Sequence, residues 1–468
     1  MPPFAYRRAI VCTLSAFVFA LALSLNLSAS TVVVTPPGIA ACKALPSYST
    51  ISQAVSSVPS GSTIFVCPGT YAEQVMITKK LTLTGVSANG LVGATALGSN
   101  NPVIVSPAGG VLINSSDLYE NPNGQPTAAQ ILVQTPSNDY ATPILVTIDN
   151  ITVDGSNNGL SGCGTDLVGI YYRNASGTVD HVTTRYQELD PSDFGCQDGL
   201  AIYVQSGYGT GTGAVIVENS SVHDYDKNGI TIDGSGSVAT VMGNYVVGIG
   251  ATPLIAQNGI QVSDGASGKI SSNTVTDDVY VNPSDCSLTT SPACYNAVGI
   301  LLYDSGGTSA SHIAISGNTI SNTQGAIVVV TDGNGTADYN DVSTNKITTT
   351  SAIVSTAGTI LLDAIDLCSD YNTATSNTIF NTTGSGVHLD SSCTDLGGGA
   401  SGSHSSATTN TVNEACTGVL LGNSGATQSG TITYNVVETT STTDSCPVGN
   451  GGSSVKAAGK IRPQPRRH

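Results

Sequence analysis

Tryptophan is absent from the 468 residues, aromatic residues make up 5% of them, and charged residues only 10%. Each scarcity excludes something. A helical bundle is held by large side chains and by Glu/Lys pairs on its surfaces, and this chain has few of either. Lysine and arginine together number 15 against 32 acidic residues, a formal charge of −17. A surface this acidic repels nucleic acid and anionic membranes and disfavours anionic polysaccharides unless a cation bridges, and no basic patch interrupts it in the body of the chain. Between residues 9 and 461 the only arginines are Arg173 and Arg185. No CxxC or Cys/His spacing of the zinc-binding kind is present. What the chain does have is glycine, 53 residues of it, with Ser, Thr and Asn supplying most of the polarity. That composition suits short stacked strands joined by many turns.

The amino-terminus reads as an export signal over residues 1–30. Arg7 and Arg8 precede an almost wholly apolar run from Ala9 to Leu27, and Ser28-Ala29-Ser30 offers small residues for cleavage. A membrane anchor is the alternative for an apolar run of that length. Ile39-Ala40-Ala41-Cys42 also resembles a lipoprotein box, although Pro36-Pro37-Gly38 separates it from the apolar core. Of 11 cysteines, Cys12 leaves with the signal. The even remainder in an exported chain predicts disulfides. The expected pairs are Cys42–Cys67, Cys163–Cys196, Cys286–Cys294, Cys368–Cys393 and Cys416–Cys446.

From about residue 165 one pattern recurs, a glycine followed by alternating apolar residues. Gly169-Ile170-Tyr171-Tyr172, Gly229-Ile230-Thr231-Ile232 and Gly259-Ile260-Gln261-Val262 are examples, and Gly169, Gly199, Gly229 and Gly259 lie 30 residues apart. A second series interleaves with it, an Asn before a β-former: Asn150, Asn219, Asn244, Asn273, Asn318, Asn345, Asn377, Asn410 and Asn435. A coil of this kind cannot bury its apolar face alone. Stacked coils pair each strand with its neighbours about 4.8 Å above and below, and an Asn at the same turn of every coil carries the hydrogen bonding onward. Ahead of the repeats, Ile51, Ala54, Val55 and Val58 have helical spacing. They predict a short helix over the open amino-terminal end of the solenoid. The expected fold is all-β, a parallel β-helix over residues 46–440, with a leader at 31–45 and a carboxy-terminal cap and disordered basic tail at 441–468.

The run Tyr48-Ser-Thr-Ile51, Ala54-Val55, Pro59-Ser-Gly-Ser-Thr-Ile-Phe-Val-Cys-Pro-Gly-Thr-Tyr71 and Leu81-Thr-Leu-Thr-Gly85 resembles the amino-terminus of pectin-lyase-like right-handed parallel β-helix proteins. With the repeats, the likeness covers roughly residues 46–440. It implies a right-handed solenoid and leaves the activity open, since the superfamily includes pectate lyases, polygalacturonases, pectin esterases and alginate epimerases. The catalytic signatures of those enzymes are missing. The Trp-containing esterase motif cannot occur, and the arginine-rich face of pectate lyases has few counterparts.

In each glycine-started strand the first and third residues after Gly should point inward and the second and fourth outward. The outward columns then bring Tyr171, Arg173, Tyr203, Asp233, Gln261 and Tyr303 onto neighbouring coils. Aromatic rings with polar groups between them suit a sugar chain, so Tyr171, Tyr203, Gln261 and Tyr303 are candidate substrate-binding residues. Asp233, Arg173 and Asp264 are candidate catalytic residues, because carboxylates on adjacent coils lie near the spacing of double-displacement glycoside cleavage. An ordinary solvated sheet face is the competing reading. The loops before these strands, including the polar one from Arg185 to Phe194, should build a wall beside the face. Asp366, His388 and Asp390 form a second candidate group for acid–base work. Calcium is the one cofactor the acidic composition leaves open, with Asp277-Asp278 and Asp224-Tyr225-Asp226 as loose candidates and neither an EF-hand nor a GGxGxD repeat. The expectation is a monomeric protein, secreted or held in the periplasm or at the cell surface, that takes a polysaccharide and, in the enzymatic reading, cleaves it as a glycosidase or lyase. A non-catalytic adhesion protein using the same face is the alternative.

Overall fold

A computed structural model describes residues 28–87, 101–118, 125–137, 140–196, 198–207, 210–281, 294–307, 312–331, 335–350, 353–355, 358–360, 362–390, 402–443 and 461–463. The export signal and Cys286, Cys393 and Cys446 therefore lie outside the described residues, and no described helix is long and apolar enough to cross a membrane.

The alternating patterns fold into three long sheets of 14, 12 and 13 strands, in which successive coils pair in parallel. One coil illustrates the path. Ser237–Met242 lies in the 14-stranded sheet, Tyr245–Thr252 in the 12-stranded sheet and Asn258–Ser263 in the 13-stranded sheet, and the chain then returns to the first at Ser267–Ser271. Inward Ile, Val and Leu from all three sheets merge into one continuous core from Val32 to Val419. Each fully buried side chain of that kind contributes about 1.5–3 kcal/mol. The repeated glycines answer a close approach between coils. A Cβ on Gly229 would sit 2.6 Å from the carbonyl oxygen of Gly259, and one on Gly259 would sit 2.8 Å from that of Gly299.

The asparagine series is partly a ladder. The side-chain oxygens of Asn273, Asn318, Asn345, Asn377 and Asn410 each accept from the backbone N–H and the side-chain amide of the Asn one coil before, at 2.9–3.0 Å. Asn244 starts the run. Asn150, Asn219 and Asn435 stand outside it. Each has a left-handed φ of 50–57° and turns the corner instead, and next to Asn219 it is Ser220 that donates its N–H to Asn244 Oδ1 at 3.0 Å. A shorter row, Asn340 and Asn372 followed by Ser405, occupies another corner.

The solenoid begins ahead of residue 46. Thr31–Val34, in the segment read as a leader, pairs in parallel with Ser62–Val66, and Val33 and Val34 are fully buried. The predicted helix is Ile51–Ser57, with Thr50 Oγ1 accepting from Gln53 N at its start. Glu73 accepts from the Ile51 and Ser52 N–H groups, satisfying two donors that a helix start leaves open. In the tail read as disordered, Ile461–Pro463 forms a short strand beside Cys294–Asn296. Disulfides join Cys42 to Cys67 and Cys163 to Cys196. Cys368 and Cys416 are disulfide-bonded as well.

Candidate functional site

The outer face of the 13-stranded sheet carries the residues singled out from sequence, in a register that differs by two residues at one strand. Tyr171 lies level with Tyr203, Thr231, Gln261 and Leu301, and Arg173 with Gln205, Asp233, Ser263 and Tyr303. Gly199 is a turn residue at φ +85°, and it is Ala201 that lies beside Gly169. The alternation in this strand therefore starts later than its glycine suggests.

These columns point away from the core, but the expected open groove is absent at the first four coils. Tyr171 and Tyr203 are 0% exposed, and Asp233 and Gln261 are 1% exposed. The segment around Ser115–Ser116, which pairs with the edge of Pro126–Gln134, lies over the first of these coils, with Ser116 on Arg173, Asp117 on Tyr203 and Leu118 on Gln205. Tyr203 Oη donates to Asp117 Oδ2 at 2.9 Å and lies 3.1 Å from Asp233 Oδ2. Gln205 Nε2 reaches both carboxylates at 2.8 Å, and Gln205 Oε1 accepts from Tyr171 Oη and Leu118 N. Ser263 Oγ donates to Asp233 Oδ1 at 2.9 Å. The two tyrosine rings stack on each other at 4.8 Å, where a sugar was expected. Arg173 Nε is bound to the Ser116 carbonyl at 3.0 Å. Burial first, and then the charges of Asp117 and Asp233, push the Tyr171 and Tyr203 hydroxyls well above their ordinary range. Tyr303 packs against Val298, Leu301 and Val328. Asp264 sits at a left-handed turn beyond its strand and lines a separate hollow with Asp304.

Further along the same sheet the face is partly open. Asp366 and His388 are register partners on adjacent coils, and Asp390 follows two residues after His388, as the alternation predicts. The structure adds Asp363, a turn residue held before its strand by the Ser385 N–H. His388 Nδ1 lies 3.0 Å from Asp363 Oδ2 and 4.0 Å from Asp366 Oδ1, and Nε2 lies 3.7 Å from Asp390 Oδ1. Burial alone would lower the imidazole pKa. The hydrogen bond to Asp363 and the charges of Asp363, Asp366 and Asp390 outweigh it and push His388 up to about 10. The ring is thus a cation at neutral pH, enclosed by carboxylates whose side chains are 19–29% exposed.

Two groups, Asp363–Asp366–His388 and Asp149–Asp180–His181, bring a ligand atom from each residue within 4.8 Å of one another. Each offers two carboxylates and an imidazole, a donor set open to a metal ion and not specific to calcium. Asp224 Oδ2 is bound to His223 at 2.7 Å, and Asp277 to Asn322 and Thr276. Asp278 is buried and accepts from Tyr225. Burial raises both Asp278 and Asp226, the latter to about 9, which holds Asp226 protonated at neutral pH. Lys227 beside them is buried too and is pushed down to about 7 by that burial. These groups are sealed within a corner of the solenoid, out of reach of a substrate.

No family model matches the sequence, and no curated protein matches it. Solved structures do. The catalytic unit of a GH87 α-1,3-glucanase from Streptomyces thermodiastaticus is 16% identical over 88% of this chain and 67% of its own, with a TM-score of 0.47. A GH136 lacto-N-biosidase from Eubacterium ramulus is 10% identical over 87% and 68%, with a TM-score of 0.49. The surface adhesin PfbA of Streptococcus pneumoniae is 14% identical over 80% and 83%, with a TM-score of 0.46. These are right-handed parallel β-helix proteins, the architecture the amino-terminal run resembles. Similarity at this level carries no inference to activity.

Proposed function

We propose that the chain is an exported, monomeric β-helix protein that binds an extracellular polysaccharide and cleaves it at Asp363, Asp366, His388 and Asp390. The observation that carries this reading is a histidine whose ring nitrogens lie 3.0–4.0 Å from three carboxylates, on a partly open face of the sheet. Carboxylate pairs about 5 Å apart divide the acid and nucleophile roles of retaining glycoside cleavage. A pKa of about 10 makes His388 a poor proton donor at neutral pH. Its part is electrostatic and positional, holding the carboxylates together against their mutual repulsion. Asp366 is the most exposed of the three and is assigned the contact with the scissile bond. Export is supported by the disulfides, which persist in oxidising compartments. The helix Ile51–Ser57 is assigned the role of shielding the open end of the solenoid.

The experiment is incubation of the mature protein with a polysaccharide panel, reading reducing-end release and unsaturated products. Turnover that falls at least 100-fold in Asp366→Asn, with melting unchanged, is the expected result. Full turnover in that variant would place the chemistry elsewhere. Retention of a polysaccharide without turnover by the parent would establish the adhesive alternative.

A further inference from the structure

The outer face of the 12-stranded sheet, away from the acid–base cluster, holds a basin of about 570 Å³. Ligand sites of small molecules span about 300–1,000 Å³. Its floor is a single register column, Val103, Thr152, Thr183, Ser221 and Tyr245, running across five successive strands. At about 4.8 Å per strand that is a run of nearly 20 Å. The residues along it are short until Tyr245, whose ring is 52% exposed and stands at one end.

Arg185 and His223 lie in the next outward column and line the same basin. Each is gripped from one side by a carboxylate. Arg185 Nε donates to Asp154 Oδ2 at 2.7 Å, and His223 Nδ1 lies 2.7 Å from Asp224 Oδ2. The terminal nitrogens of Arg185 and the Nε2 of His223 have no hydrogen-bond partner among the described residues, and the guanidinium stands 5.7 Å from the centroid of the Tyr186 ring. Asp154 is itself buried, so the guanidinium is fixed in place before any ligand arrives. Among the described residues no lining residue of the basin is Asp or Glu; the nearest carboxylates, Asp154, Asp180 and Asp224, stand behind Arg185, Asn219 and His223. Of the two arginines in the body of the chain, Arg173 is tied under the Ser116 carbonyl, while Arg185 is brought to a surface hollow.

We propose that this basin is a second saccharide site, separate from the acid–base cluster, and that it takes a sugar unit bearing a carboxylate. The open side of the Arg185 guanidinium accepts the carboxylate as a fork, a geometry arginine favours. The Tyr245 ring packs on a sugar face, and the Thr183 and Ser221 hydroxyls meet sugar hydroxyls. The inference rests on the saccharide reading of this surface but not on catalysis.

The test is calorimetric titration with trimers of galacturonate, glucuronate and mannuronate, and with xylotriose as the neutral control. At least one uronate trimer is expected to bind at least tenfold more tightly than xylotriose. Tyr245→Ala, at an exposed position, and Arg185→Lys should each weaken that binding tenfold or more. His388→Gln should bind as the parent does, even if it abolishes polysaccharide cleavage. Equal binding of xylotriose, no binding of any uronate trimer at millimolar concentration, or parental affinity in Tyr245→Ala and Arg185→Lys would each overturn the proposal. Loss of binding in His388→Gln would assign the saccharide to the acid–base face and overturn it likewise.

Discussion

Tyr203→Phe removes one hydroxyl from the network beneath the Ser115–Leu118 segment and leaves the ring stacked on Tyr171 at 4.8 Å. That hydroxyl serves Asp117 at 2.9 Å and Asp233 at 3.1 Å. Without it, Asp117 retains Gln205, and Asp233 retains Gln205 and Ser263. Leaving buried acceptors short of a donor costs about 1–3 kcal/mol. Tyr203→Ala also removes a fully buried ring, and large-to-small changes of that kind cost about 3–5 kcal/mol. The same two substitutions on an open sheet face would cost less than about 0.5 kcal/mol. Guanidinium unfolding followed by tyrosine near-ultraviolet circular dichroism reads the difference. The expected order of midpoints is parent, then Phe, then Ala, with clear gaps between them. An Ala variant within 0.5 kcal/mol of the parent would mean that the segment does not cover this face and that the sealed network is wrong.

His388 should titrate far above the ordinary histidine range, near 10, by nuclear magnetic resonance of its ring, and Asp363→Asn should bring it down; a parental midpoint near 6.5 would refute the carboxylate enclosure. Because the folded pKa is raised, the stability it contributes is fully present below pH 6.5 and is lost as pH rises toward 10, so His388→Gln should flatten the fall of stability over that window. In the asparagine ladder, Asn345→Ala deprives the Ile315 carbonyl of a donor and the Asn318 amide groups of their acceptor, and should cost about 2–5 kcal/mol in guanidinium unfolding. A cost below 1 kcal/mol would show that water replaces the ladder.

The repeat was readable because burial on one face and a fixed coil length impose a period, and both leave marks in sequence. Ile170, Ile230, Ile260 and Ile300 are core residues for that reason. The column through Asp366, His388 and Asp390 was readable by the same alternation. Asp363 was not, because it sits in a turn, where no period applies. Alternation also says only which way a side chain leaves its own sheet. Tyr171 and Tyr203 do point away from the core, but a segment 86 residues earlier than Tyr203 lies over them. Nothing local to Tyr203 signals that cover; the clue is Asp117 itself, in an excursion between two strands of the solenoid. Asn219 was assigned to the ladder because its spacing fits within one residue, and one residue is the difference between the inside of a corner and its outside. The basin around Arg185 and His223 lies on a sheet whose outward columns carried no glycine-started motif, and the rarity of arginine was its only signal in sequence.

The covering segment also sets an order of events. Asp117 leaves the ribosome or export channel well before Tyr203 and Gln205, its partners 86 and 88 residues later. At about 5–20 residues per second, roughly 4–18 s pass between the appearance of the cover and that of the coil it binds. Tyr171 emerges 54 residues after Asp117, so Leu132 and Tyr171 stand bare together on the outer face for the last 32 residues of that interval, roughly 2–6 s. A chaperone or a second nascent chain that recognises apolar sheet surface has its opportunity then, and loses it when Tyr203 arrives.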